Sequence, residues 1–99
     1  MDPTREEIDA SRGTLLLEFG ASWCPHCRIA RPLVDAELAR RPETRHVWVE
    51  DGKGKRLGRS FGVKLWPTLV LVRDGVEVAR VVRPRTAREI DELFARAAA

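Results

Sequence analysis

Two β-branched apolar runs, Leu69 to Val72 and Val76 to Val82, are joined through Asp74-Gly75. An Asp-Gly pair tolerates positive φ at both residues, which is what a tight turn between antiparallel strands requires. The C-terminal half of the chain therefore holds a hairpin, and the rest must be built around it. Upstream, Leu15 to Phe19 reads as a buried strand interrupted by Glu18. His46 to Glu50 reads as another, with Val47 and Val49 on one face. Between them a helix runs from near Cys24 to about Arg40, with Ile29, Ala30, Leu33, Val34, Ala36 and Leu38 facing inward. Pro32 lies inside it and is expected to kink it. Leu57 and Phe61, four apart, suggest a short helix before Gly62. A first helix is expected to be capped by Asp2, open at Pro3 and run to Ser11. A last one starts at Thr86 with the capping-box pattern Thr86-Ala87-Arg88-Glu89, and buries Ile90, Leu93, Phe94 and Ala97. Helices between the early strands require crossovers, so those strands should run parallel. The result is an α/β chain: a four-stranded mixed sheet with helices on both faces.

With 99 residues there is room for one domain, spanning 1–99, and no repeat or linker interrupts it. The formal net charge is +3, and 15 of the 18 basic residues are arginine, spread along the chain. The run Lys53-Gly54-Lys55-Arg56 reads as a solvated loop. Three Phe, three Trp and no Tyr form no stacking series for single-stranded nucleic acid, so no nucleic-acid partner is expected. No run is long enough to span a membrane. The N-terminus lacks the basic-then-apolar pattern of a signal peptide. A cytoplasmic location is expected, or a periplasmic one if a leader has been removed.

Trp23-Cys24-Pro25-His26-Cys27 falls where a strand has ended and a helix begins. Two cysteines so close cannot staple a fold, and this spacing points to redox or metal chemistry. Zinc needs about four ligands. The chain offers only Cys24, Cys27, His26 and His46, with no second pair, so no metal is expected. At the helix N-terminus Cys24 meets unpaired N–H groups and the positive end of the dipole, both of which favour the thiolate. Cys27, one turn further, is placed to resolve a mixed disulfide. His26 can donate to the Cys24 sulfur or place positive charge near it.

These residues resemble the thioredoxin family, from about Leu15 to Ala97. The likeness rests on Trp23 to Cys27, on Pro32 five residues after the second cysteine, and on Phe61-Gly62-Val63 leading into Trp66-Pro67-Thr68, the family's cis-proline segment. It implies a minimal thioredoxin-like fold without the first strand of full-length thioredoxin. It also implies a cis Pro67 opposite the cysteines, with the Trp66 backbone offered as an edge to substrate peptide. Glu18 stands six residues before Cys24, where thioredoxins carry a buried Asp. Burial suits it to exchange a proton with Cys27. The family pairs that Asp with a Lys on the next strand, but here the region reads His46-Val47-Trp48-Val49. Trp23, Pro25, Trp66 and Arg83 are expected beside the cysteines, the last two bulkier than their family counterparts, narrowing the substrate groove.

The leading reading is a thiol–disulfide oxidoreductase for protein substrates, with no organic cofactor, served by an unidentified reductase or oxidase and acting as a monomer. Within this fold reductants and strong oxidants differ by ~150 mV, roughly 7 kcal/mol for two electrons. The Pro25-His26 dipeptide, similar to that of periplasmic disulfide-forming oxidases, leans oxidising. The missing export signal leans reducing, so an intermediate potential is expected. The alternative is a redox-silent binding or adaptor module that kept the fold.

Overall fold

The computed structural model describes residues 2–98. The elements run α1 (Arg5–Asp9), β1 (Thr14–Gly20), α2 (Pro25–Ala39), β2 (Arg45–Glu50), α3 (Arg56–Ser60), β3 (Thr68–Arg73), β4 (Val76–Val82) and α4 (Ala87–Ala98). The sheet order is β2-β1-β3-β4. β1 is parallel to β2 and antiparallel to β3, and β3 is antiparallel to β4 with an irregularity at Leu71/Val72. The mixed four-stranded sheet is as expected. The parallel expectation holds for β1 and β2 but fails for β3. β3 begins at the end of the sheet where β2 finishes, on the far side of β1, and so runs back antiparallel to it.

β1 is central and covered on both faces, so its apolar run is nearly continuous. Alternation divides its side chains. Leu15, Leu17 and Phe19 join Val49, Val70 and Val72 under α1 and α3, where Ile8, Leu57 and Phe61 close the layer. Leu16 joins Leu69 and Leu71 under α2 and α4, against Val34, Ile90, Leu93 and Phe94. By the same alternation Glu18 is sent to the α2 face.

Local signals mostly act as read. Asp74 and Gly75 both take positive φ, 49° and 82°, in the hairpin turn. Thr86 Oγ1 accepts the Glu89 N–H at 3.2 Å, and the Glu89 carboxylate reaches back to the Arg85 N–H at 3.0 Å. The first helix is capped by Thr4 rather than Asp2, and starts after Pro3. Thr4 and Glu7 close a reciprocal box that Asp2 has no partner to form. α2 continues unbroken through Pro32 to Ala39.

Candidate active site

The site is assembled where β1 ends, α2 begins and the β3 entry passes by. Cys24 is the N-cap of α2, with extended backbone (φ −80°, ψ 123°), and Pro25 opens the helix. Its N–H donates to the Ala21 carbonyl at 3.0 Å, and its own carbonyl accepts from Cys27 and Arg28 at 3.1 and 3.2 Å. Burial works to raise the Cys24 pKa, but the balance falls below the ordinary value. The Cys27 N–H, the Cys27 thiol, the His26 N–H and the Arg83 charge all stabilise the thiolate. Neither N–H closes to a full capping hydrogen bond.

Cys27 is held the opposite way. It is 4% exposed, and burial pushes its thiol up to about 11, helped by the negative charge of Cys24 and Glu18. Each sulfur weighs on the acidity of the other, and both cysteines are free thiols. Gly20 makes room for this arrangement. A Cβ there would stand 2.7 Å from both Cys27 Sγ and the Trp48 ring. A shallow cleft of about 400 Å³ runs along Cys27, Arg31 and Trp48.

The Trp66–Pro67 peptide bond is cis. The Trp66 carbonyl is not a free edge. It accepts Arg83 Nε at 2.9 Å and faces the Cys24 thiol at 3.9 Å. Arg83 is itself held by its N–H to the Pro67 carbonyl at 2.8 Å and takes a positive φ of 51°. A guanidinium is thereby fixed at the mouth of the site. Trp66 Nε1 donates to Asp51 Oδ2 at 2.9 Å. Trp23, 65% exposed, stands edge-on to the Trp66 ring with centroids 5.7 Å apart. Pro25 is exposed beside them.

Glu18 is completely buried. Its Oε1 lies 2.8 Å from His46 Nε2. Its Oε2 is 3.6 Å from Arg31 Nε and has no hydrogen-bond partner among the described residues. A histidine thus stands where the family resemblance implies a lysine as the partner of the buried carboxyl. Register explains the pairing: Glu18 stands opposite Trp48, and His46 reaches it from two positions along the same face. An under-satisfied buried carboxylate is costly. Glu18→Leu is therefore expected to raise the unfolding free energy by about 1–4 kcal/mol, read as a higher melting temperature. Among the described residues no cluster of three or more His, Cys, Asp or Glu could hold a metal ion.

Comparison with known proteins agrees with this geometry. Residues 3–96 match the family described as Thioredoxin. A thioredoxin of Listeria monocytogenes is 32% identical over 89 residues, covering 89% of this chain and 86% of that protein. A thioredoxin of Chlamydia muridarum is 36% identical over 70 residues, covering 71% and 69%. The structure of thioredoxin 2 from Pseudomonas aeruginosa PAO1 in its reduced form superposes with a TM-score of 0.86 at 52% identity, covering 98% of this chain and 91% of that one. The binding-module alternative is not favoured, because the fold has kept a pair of free thiols at a helix N-terminus with their acidities driven apart. The chain belongs to the thioredoxin family and is a protein thiol–disulfide oxidoreductase working through the Cys24–Cys27 pair.

Proposed function

We propose that Cys24 is the attacking thiolate and Cys27 the resolving thiol in reduction of protein disulfides, with Glu18 as the base that takes the Cys27 proton. The opposite displacement of the two thiols carries this reading: Cys24 is lowered and Cys27 pushed up to about 11. Cys24 attacks one sulfur of a substrate disulfide, and the other leaves as a thiolate. Cys27 then loses its proton and attacks Cys24, releasing the reduced substrate and leaving a Cys24–Cys27 disulfide. A reductase partner returns the two electrons. No further cofactor is invoked.

Trp23, Pro25, Trp66 and Pro67 form the surface on which the substrate segment lies, and exposed aromatic groups suit such contacts. His26 supports the Cys24 thiolate through its N–H. The whole chain is read as one domain acting as a monomer. A cysteine pair outside any disulfide scaffold fits the cytoplasm. No helix among the described residues is long and apolar enough to cross a membrane.

Cys27→Ser should trap substrates on Cys24 as mixed disulfides, visible as adducts that vanish on reduction. An absence of adducts would overturn the assignment of Cys27. Arg83 is read as both activator and gate, since it stabilises the thiolate and occupies the Trp66 carbonyl. Arg83→Ala should move the pH midpoint of Cys24 alkylation upward, because the positive charge favouring the thiolate is gone. An unchanged midpoint would remove Arg83 from the site's electrostatics.

A further inference from the structure

We propose that His46 is the proton-exchange partner of Glu18, the group through which the buried carboxyl returns to solvent the proton taken from Cys27. This rests on Glu18 being the base for Cys27, and adds the route by which that base is regenerated.

Glu18 is fully enclosed, so it needs a neighbour that reaches water. Among the described residues, two basic side chains lie within 4 Å of its carboxylate. Arg31 lies 3.6 Å from Oε2, with its guanidinium over the Trp48 ring at 4.5 Å. An arginine keeps its proton and cannot relay one. His46 lies 2.8 Å from Oε1, and its side chain is 23% exposed. It therefore spans from the buried carboxylate to the surface. An imidazole is also the side chain that accepts and releases protons near neutral pH. The charged group facing this pair is Arg31 from α2.

A carboxylate only accepts, so in the resting pair His46 Nε2–H donates to Glu18 Oε1. Cys27 gives its proton to the unpartnered Oε2 of Glu18. The imidazole exchanges tautomers through water at its exposed edge, Nδ1 gaining a proton and Nε2 losing one. The terminal torsion of a glutamate is broad and roughly two-fold, so rotation brings the carboxyl proton to the bared Nε2, which accepts it as the Nδ1 proton leaves to water. Glu18 is again a carboxylate receiving Nε2–H, and Cys27 is left as a thiolate. Its sulfur then attacks Cys24 Sγ, and the bond from Cys24 to the substrate sulfur breaks, the substrate leaving as a thiolate. Without an acceptor at this position the carboxyl proton has no way out, so resolution should slow.

The test uses the reduced full chain and an aromatic disulfide that releases a coloured thiolate. The first equivalent appears as Cys24 attacks, the second as Cys27 resolves. His46→Gln keeps a hydrogen-bonding group but cannot relay a proton. It should leave the first phase unchanged and slow the second about tenfold, part of the roughly 10²–10⁴ that general acid–base catalysis supplies. His46→Ala should be slowed similarly and recover as imidazole is added to the buffer. A wild-type second phase in His46→Gln, with Glu18→Gln slowed, would overturn the relay and leave water in the cleft as the acceptor. Equal slowing of both phases, or failure of imidazole to restore His46→Ala, would assign His46 a purely structural role and overturn the relay. A wild-type second phase in Glu18→Gln would instead overturn the underlying assignment of Glu18.

Discussion

Cys24→Ser is expected to lose disulfide-exchange activity by a factor on the order of 10³–10⁶, the scale on which enzymes lose rate when the nucleophile is removed. The size of the loss follows from the remaining thiol. Only a thiolate attacks a disulfide at a useful rate. With its thiol pushed up to about 11, Cys27 is ionised at pH 7 in about one molecule in 10⁴, and it is buried. It cannot take over. The same variant gives a sharper reading by alkylation. In the native chain, reactivity should rise with pH through a midpoint below the ordinary 9.0 of a cysteine. In Cys24→Ser that phase should disappear, leaving one that grows only toward alkaline pH. Loss of Cys24 also removes a negative charge that helps hold the Cys27 thiol up, so the residual midpoint should fall somewhat below that of Cys27 in the native protein. A Cys24→Ser protein retaining half its exchange rate would show that the roles of the two cysteines had been reversed.

The second large effect is on the fold. Phe19→Ala is expected to destabilise the protein by about 3–5 kcal/mol. Phe19 is completely buried in the central strand, its ring 5.7 Å from that of Phe61. It fills the layer between the sheet and the α1/α3 side, together with Leu15, Leu17 and Val49. No neighbouring strand can move in to fill the void, because β1 is paired on both edges. A domain of this size shifts its melting temperature by roughly 4–8 °C per kcal/mol, so a drop of roughly 12–40 °C should appear in a thermal scan followed by circular dichroism. Out of a total stability of about 5–15 kcal/mol this is a third or more at the midpoint of both ranges. Phe19 faces away from Cys27, so the exchange rate per folded molecule at low temperature should be unchanged. A shift of only a few degrees would mean that this layer repacks far more freely than its burial indicates.

Two features of the site work against stability, and the proposed mechanism gives each a role. Glu18 is buried with one oxygen unpartnered. Arg83 holds a positive φ that favours glycine. In that proposal Glu18 sets a charge beside Cys27 and Arg83 one beside Cys24. Both are sites where a stabilising substitution is expected to cost activity.

The amino-acid sequence by itself determined the elements, the hairpin and the reactive pair. Asp74-Gly75, the Thr86 box and the strand-to-helix position of Cys24 act over a few residues, through backbone conformation and unpaired N–H groups, so no distant partner is needed to read them. Family resemblance added the proline segment, whose Trp66–Pro67 bond is cis in the structure. What depended on residues far apart in the chain was decided only on folding. β3 took the far side of β1 and runs antiparallel to it, against the parallel expectation. Pairing of β1 with β2 brought His46 to Glu18 across 28 residues. The β4 end swung Arg83 onto the Trp66 carbonyl across 17 residues. Burial separated two thiols that look equivalent in the motif, because the energy of a charged sulfur depends on what the fold packs around it rather than on its neighbours in sequence.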